Sequence, residues 1–573
     1  MLARLLRDLA SRVAEILIRR ERQAARLYEQ GRALRKANEP RAALARFDRA
    51  LRLEPRHAEA LNERARTLLD LGRLDDALAS CKSALGINPD FPEAYYTQGN
   101  ALLARDALQE ALASYERAVQ LEPDFADAHY NSGLVLQRLK RPEDALAAYE
   151  RALVLKPDDA EALNNRGNVL VDLRRPDLAR ASYERALSFR PGFVRARYNL
   201  GLALQDINRP DEAAQCYREV LKTDPDYPFA KGKLLHAKML SCDWDGLEAL
   251  VGAVETDIAA GKQSAEPFGH QAASHSETSL RRCAEMFAAA SFPPAPQYLW
   301  RGERYENPRI RVGYVSGEFR QQATAILIAG LFERHDKSRF ETFAFDNGWD
   351  DGSEIRGRIN RAFDKIVDIS RLDDAEAARA IHRSRIDILV NLNGYFGRER
   401  QGVFRYKPAP IQVNYLGFPG TLGAQYMDYI LADSHVIPHG HSEFYVEKVV
   451  CLPDSYQPND SLRQIAPPTL TRSKAGLPPQ GFVFCCFNNN YKITPAIFDV
   501  WMRLLKKVDG SALWLLEDNE AAARRLRLEA RQRDVAPERM VFAGRLEPDE
   551  HLARHALADL FLDTLPYNAH TTA

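Results

Sequence analysis

The chain has no surplus of charge: 79 Lys and Arg offset 79 Asp and Glu across 573 residues. Proteins that hold nucleic acid or a membrane by bulk charge need an excess of one sign, so that class is excluded. There is no run of about 18 apolar residues, so no bilayer-spanning helix is expected. Cysteine is scarce and odd in number. Cys81, Cys216, Cys242, Cys283, Cys451, Cys485 and Cys486 include no CxxC pair, which argues against a disulfide framework. Free thiols in a reducing cytosol fit, and the localisation reading is cytoplasmic. Cys485 and Cys486 lie in an apolar run, where packing is the expected role. His270 and His275 have no second ligand at metal-binding spacing; they read as loop residues, and no metal site is expected. Residues 1–22 lack the continuous apolar core and cleavage site of a signal peptide.

The composition is 45% hydrophobic and 28% charged, that of a soluble globular protein long enough for three or four domains. Residues 1–23 place Leu2, Leu5, Leu6, Leu9, Val13, Ile16 and Leu17 at helical spacing among arginines, the pattern of an amphipathic capping helix. From 24 to 227 the sequence repeats every 34 residues. The small residues Gly31, Ala65, Gly99, Gly133, Gly167 and Gly201 are each followed, sixteen positions later, by Phe47, Cys81, Tyr115, Tyr149, Tyr183 and Tyr217. Pro55, Pro89, Pro123, Pro157, Pro191 and Pro225 close the units. This is the tetratricopeptide pattern, six helical hairpins. The small residues let the two helices of a hairpin approach, and the aromatics are expected to fill gaps between neighbouring hairpins. Such arrays coil into a superhelix with a concave face. Asn131, Asn165 and Asn199 share one register on the inner helix, where they could hold a peptide main chain or bond within the array.

Residues 228–306 lose the period and read as a helical adapter with one flexible loop over 260–276. After Asn307 short apolar strands alternate with helices, the texture of a parallel sheet covered on both faces. One such α/β unit is expected over 307–480 and a second over 481–573. Ligands of these sheets bind beyond the carboxyl ends of the strands. Lys492 falls there, just past a strand and just before Thr494-Pro495, an N-cap with proline in the first turn. A lysine so placed could neutralise a diphosphate leaving group as its charge grows, favouring the transition state. The alternative is an ordinary surface lysine. The last stretch, LFLDTLPYNAHTTA (560–573), opens as a strand and turns into polar residues; it would make an anion site if a helix followed.

The repeats, RIRVGYVSGEFR (309–320), KPAPIQVNYLGFPGTLGAQYMDY (407–429), CCFNNNYKITP (485–495) and LFLDTLPYNAHTTA together resemble the O-linked N-acetylglucosamine transferases, glycosyltransferase family 41, in their bacterial form. The resemblance implies a GT-B fold of two Rossmann-like domains behind the repeat superhelix. It also implies transfer of N-acetylglucosamine from UDP-GlcNAc to Ser or Thr of proteins, with inversion and without metal or other cofactor. By matching motif, Lys492 would be the catalytic lysine at the diphosphate. Asn489, His551, His570, Thr571 and Thr572 would bind UDP, with His551 stacked on the uracil. Pro419, Gly420 and Thr421 would border the sugar. Asn131, Asn165 and Asn199 would form a peptide-binding ladder, so the implied partners are proteins or peptides in the repeat groove; a homo-oligomer is compatible.

The pattern departs from the family in two places. Many members carry a histidine soon after the first α/β strand, where this chain has Gln322, a residue that hydrogen-bonds a hydroxyl but cannot take its proton. His382 is a weaker alternative, since it precedes its strand. The HTT motif is followed in the family by a further helix and strands, so residues 481–573 read as a truncated nucleotide-binding domain. Two other functions stay open: transfer of another sugar or to another acceptor, Asn included, and a catalytically inactive repeat scaffold.

Overall fold

The computed structural model describes residues 2–569, and the side chains of 2–6, 8–11, 13 and 14 are left aside. The chain divides into two compact units, residues 1–196 and 197–573.

The first unit consists of antiparallel helix pairs. Leu2–Lys36 pairs with Pro40–Leu53, Ala58–Asp70 with Leu74–Ile87, and Pro92–Ala104 with Leu108–Leu121. Ala126–Arg138 then pairs with Pro142–Leu155, and Ala160–Asp172 with Pro176–Phe189. Each second helix stops two residues before its repeat proline, and the residue between is the cap, such as Glu54, Glu122 and Lys156 with ψ of 82°, 89° and 82°. The proline ring forbids the α conformation to the residue before it, so the helix must end there. Two expectations need correction. No separate capping helix ends at 23, because the first helix runs unbroken from Leu2 to Lys36 into the first repeat; it holds no proline, and its single glycine, Gly31, does not break it. The aromatics also sit elsewhere than expected. Each ring lies on the glycine of its own hairpin, so that a Cβ built on Gly99, Gly133 or Gly167 would come within 2.5, 2.7 or 2.4 Å of Tyr115, Tyr149 or Tyr183. The one repeat with Ala65 at that position has the smaller Cys81 opposite, both fully buried. Volume is conserved within the pair, as close packing demands.

The second unit begins with the sixth pair, Val194–Asp206 and Pro210–Thr223, whose first three residues fall in the first unit. The adapter helices Ala230–Leu240, Leu247–Ala259, Pro267–Gln271 and Glu277–Ser291 follow. The expected flexible loop at 260–276 is instead packed. Ser264, Ala265, His270, Ala272 and Ser274 are buried, and His270 Nε2 lies 2.9 Å from Ser279 Oγ. Burial pushes His270 down to about 4, so it is a neutral core group and not a loop residue. Ala265 and Ala272 join Tyr491 and Tyr567 in one apolar cluster, a long-range contact that local polarity conceals.

Two parallel sheets complete this unit. The first comprises β1 (Ile310–Ser316), β2 (Phe340–Asp346), β3 (Lys365–Asp368), β4 (Ile388–Asn391), β5 (Ile411–Asn414), β6 (Tyr429–Ala432) and β7 (Lys448–Cys451), in the order β3-β2-β1-β4-β5-β6-β7. The second comprises β8 (Val483–Cys486), β9 (Ala512–Leu516), β10 (Met540–Ala543) and β11 (Leu560–Phe561), in the order β10-β9-β8-β11. Strand order reverses between β1 and β4 and between β8 and β11. At such switch points the flanking loops part and leave a crevice at the carboxyl ends. Cys485 and Cys486 are buried in the second core, as their apolar setting implied, and Cys451 is exposed.

The glycine–aromatic pairing generates a test. Gly133→Ala should lower the unfolding midpoint of the array, the cost of overpacking being about 1–3 kcal/mol. In the Gly133→Ala, Tyr149→Cys double variant, which copies the Ala65–Cys81 pair, the two effects should fall short of additive. Circular dichroism melts of the four proteins measure the coupling; strict additivity would refute the pairing.

Candidate functional site

The carboxyl ends of the two sheets meet at a cleft of about 470 Å³. One wall is Gln321, Gln322, Ala323 and Ile326, from the turn after β1 and the helix Ala323–Glu333 that follows. The other is Phe487 and Asn489 after β8, Leu516 at the end of β9, and Arg545 to Arg554 after β10. A hydrogen bond from Gln321 Nε2 to Glu547 Oε2, 3.0 Å, crosses between the walls. Gln322, Asn489 and His551 are thus brought to one place from positions up to 229 residues apart in the chain. Gln322 holds the N-cap position of its helix but makes no capping bond.

The floor of this cleft is aromatic and cationic. The Phe487 ring meets Trp514, His551 and His555 edge-on at 5.0, 5.4 and 5.1 Å. Arg554 lies with its Cζ 4.1 Å from the Phe487 centroid, 2% exposed, donating to Gly544 O at 2.7 Å. Burial lowers its pKa to about 10. His551 is pushed down to about 3, by burial first and then by Arg554, His555, Arg463 and Arg545. It therefore stays a neutral ring at physiological pH, suited to stacking and unsuited to carrying charge. The sequence reading missed Arg463, Arg545 and Arg554. Gly544-Arg545 stands just past β10, so the rule that singled out Lys492 could have found Arg545.

Lys492 does not line this cleft. It closes a single 3₁₀ turn, Asn490–Lys492, before the helix Pro495–Lys507. Thr494 Oγ1 caps that helix by accepting from Ile497 N, as its sequence implied. Lys492 is 8% exposed, its Nζ 4.4 Å from the Tyr567 centroid and donating to Asn568 O at 2.7 Å. Among the described residues no carboxylate lies within ion-pair distance of it. Burial lowers its pKa to about 8, with Asp563 opposing part of the shift. Asn488 spans the β8/β11 switch point, donating to Thr564 Oγ1 at 2.8 Å and Asp563 Oδ1 at 3.2 Å. Among the described residues this buried cation is held by one carbonyl and the rings of Tyr491 and Tyr567; such a cation is short of negative charge, which a phosphate would supply. His570, Thr571 and Thr572 lie outside the described residues.

A second cavity of about 640 Å³ opens on the same segment, between Pro566–Ala569 and the loop after β5. Pro419 lines it, while Gly420 and Thr421 border a neighbouring cavity of about 290 Å³ that also reaches Tyr567. Thr421 is turned inward. Its Oγ1 donates to Glu447 Oε2 at 2.6 Å and accepts from Gly423 N and Val446 N at 3.1 and 3.2 Å. Its hydroxyl is thereby committed to holding the loop. Glu447 Oε1 also accepts Leu422 N at 2.7 Å, and Asn414 Nδ2 donates to the carbonyls of Phe418 and Gly420, both at 3.1 Å. Gly423, at φ +65°, touches the backbone of Ala284 and Glu285, leaving no room for a Cβ.

In the first unit Asn131 Nδ2 donates to Asn100 Oδ1 at 2.9 Å and Tyr96 Oη at 3.3 Å, and Asn165 Nδ2 to Tyr130 Oη at 3.0 Å. Both amides bond within the array, each reaching back one repeat; Asn199 belongs to the second unit. His382 lies beside Tyr305, Glu303 and Pro408, before the strands begin, at the end of the sheet opposite the cleft. Among the described residues no group of three or more His, Cys, Asp or Glu could hold a metal ion, and no helix is long and apolar enough to cross a membrane.

Comparison with known proteins gives the following. The model of glycosyl transferase family 41 matches residues 272–466 and 460–573. Tetratricopeptide models match 28–92, 99–140, 124–192 and 164–228. The chain is similar to the probable UDP-N-acetylglucosamine–peptide N-acetylglucosaminyltransferase SEC of Arabidopsis thaliana, at 39% identity over 269 residues, 46% of this chain and 28% of that protein. It is similar to the UDP-N-acetylglucosamine–peptide N-acetylglucosaminyltransferase of Caenorhabditis elegans at 26% over 376 residues, 46% of this chain and 33% of that one. It thus spans about a third of the length of these curated relatives. A solved structure of a lysine-to-methionine mutant of the Thermobaculum terrenum O-GlcNAc transferase superposes with a TM-score of 0.56 at 27% identity, covering 78% of this chain and 79% of that one.

The depressed pKa of Lys492 generates a pH test. An anion binds the protonated amine, so affinity is full below about 8 and falls as pH rises through that value. Calorimetry with a diphosphate ligand should show about a tenfold loss between pH 7 and 9. Lys492→Arg, whose side chain stays charged, should abolish that loss. Affinity constant up to pH 9.5 in the parent chain would contradict the assignment.

Proposed function

The chain belongs to glycosyl transferase family 41, and on that premise we propose that it transfers N-acetylglucosamine from UDP-GlcNAc to Ser or Thr hydroxyls of proteins, with inversion and without a metal. One observation carries the reading: Lys492, buried at the β8/β11 switch point with no carboxylate in ion-pair reach among the described residues. In this reading the diphosphate sits against Lys492, and His570, Thr571 and Thr572 complete its site. The uracil takes the aromatic cleft beside neutral His551, with Asn489 and Arg554 at its edge. The sugar projects toward the 419–423 loop, with Pro419 at its border. Gly420 and Thr421 serve there as scaffold, because the Thr421 hydroxyl is bound to Glu447.

The chemistry asked of Lys492 is electrostatic. As the sugar–oxygen bond breaks, negative charge gathers on the diphosphate, and a fixed, poorly hydrated ammonium favours that state over the intact donor. Burial lowers its pKa to about 8, and an incoming anion offsets that cost to the charged form. No other cofactor enters the reading. Protein or peptide acceptors are assigned to the repeats, at Asn131, Asn165 and Asn199. An asparagine amide has two N–H groups and two acceptor lone pairs, so the bonds seen within the array still leave capacity for a main chain. Gln322 favours a second reading, a repeat scaffold without catalysis, because glutamine takes no proton.

Calorimetry decides between them. UDP should bind the full chain, and Lys492→Ala should weaken binding tenfold or more, about 1.4 kcal/mol. His551→Ala should weaken it also, by loss of stacking. Absence of UDP binding to the parent chain would leave the scaffold reading.

A further inference from the structure

The missing proton acceptor has a second solution in the cavity between Pro419 and the 566–569 segment. We propose that His435 is the general base that takes the proton of the acceptor hydroxyl, an inference that rests on the transferase reading above.

Four observations carry it. The first is place. His435 lines the cavity of about 640 Å³ together with Pro419 and Asn568, and Asn568 is the residue whose carbonyl holds Lys492. It follows β6 by three residues, on the carboxyl-end rim where ligands of parallel sheets bind. Gln322, by contrast, lines the nucleotide cleft and not this cavity.

The second is chemistry by elimination. Among the described residues of the cavity wall, His435 is the one imidazole, the side-chain type that serves most often as a general base. The remainder are amides, a serine, apolar groups and the tyrosines Tyr445, Tyr456 and Tyr567. Burial pushes all three phenols above their usual value, so none ionises near pH 7.

The third is anchorage. Asp433 Oδ1 accepts the backbone N–H of both His435 and Val436 at 2.9 Å, and its Oδ2 accepts Tyr456 N at 2.8 Å. The turn carrying the imidazole is therefore pinned, while the side chain itself is 87% exposed and open to an incoming acceptor. The fourth is charge. Asp433 Oδ1 stands 3.9 Å from Nδ1, near enough to favour the imidazolium that forms once the proton is taken.

The step balances. The acceptor O–H bond breaks and its proton passes to Nε2 of neutral His435. The freed oxygen pair forms the new bond to the anomeric carbon. The bond from that carbon to the diphosphate breaks, and its electron pair leaves on UDP beside Lys492. The imidazolium then returns its proton to water.

The test uses the full chain and the variants His435→Asn and His435→Gln. Labelled UDP-GlcNAc and a degenerate library of Ser- and Thr-containing peptides are the substrates, and UDP calorimetry runs in parallel. The expected result is a fall in kcat of about 100-fold or more, the range a positioned base contributes. The acid limb of the pH–kcat profile should flatten, with KM for the donor and UDP affinity within about twofold of the parent. A variant with kcat within threefold of the parent and an unchanged acid limb would overturn the proposal. So would a loss of UDP affinity that matches the loss of kcat, since that marks a structural role. Failure of the transferase reading looks different: the parent chain itself then neither binds UDP nor transfers sugar, and both inferences fall.

Discussion

Two register pairs, Leu560 with Phe484 and Phe561 with Cys485, fix the position of residues 562–569. This short parallel contact creates the switch point of the second sheet. It is secured at its root by Asp559 Oδ2, which accepts Val483 N at 2.8 Å and Arg472 Nη2 at 2.9 Å. Once β11 is in register, Thr564 and Asp563 meet Asn488, Tyr567 covers Lys492, and the Asn568 carbonyl takes the ammonium. A slip of one residue would exchange the faces of β11 and separate all of these partners.

The adapter and the last helical pair contribute to the same site from behind. Tyr217 Oη donates to Gln205 Oε1 at 2.6 Å, and Gln205 Nε2 lies 3.3 Å from His236 Nδ1. His236 is half-buried, and desolvation pushes it down to about 4, so it packs as a neutral ring, 5.4 Å from Tyr491. Phe268 meets both Tyr491 and Tyr567 at 6.0 and 6.4 Å. Asn519 Nδ2 ties the second sheet to Leu240 O at 2.9 Å, and Arg525 Nη1 ties it to Ser241 O at 3.1 Å. The residue before Lys492 is thus set by groups about 250 positions upstream. This aromatic and polar wall is what takes Lys492 out of water and lowers its pKa.

Charge is handled oppositely in the two sheets. In the first, buried carboxylates hold loops: Glu447 binds Thr421 and Leu422, and Glu318 Oε1 accepts Arg398 N at 3.2 Å. In the second, buried cations lie on rings: Arg554, which lines the aromatic cleft, on Phe487 and Lys492 on Tyr567. Carboxylates that saturate backbone N–H groups give rigidity. Cations on rings, with few anionic partners, leave their attraction for a ligand.

The sequence alone determined what depends on local periodicity. The 34-residue register located the helical pairs, and strands such as 429–432, 512–516 and 540–543 were readable because a buried parallel strand is a short apolar run between polar turns. The strand-end rule found Lys492, and the motifs pointed to the family. Only the tertiary structure decided which strand ends share a cavity. It joined Gln322 to His551, left Lys492 outside their cleft, turned the Thr421 hydroxyl inward, buried His270 within a polar stretch, and brought His435 and Asn568 to one cavity. It also put each tyrosine on the glycine of its own hairpin, where the sequence reading had placed the aromatics between neighbouring hairpins. The reason is physical: helix and strand periods are fixed by backbone geometry within a few residues. Cavities, ion pairing and pKa are fixed by burial between segments hundreds of residues apart, and no local pattern encodes that.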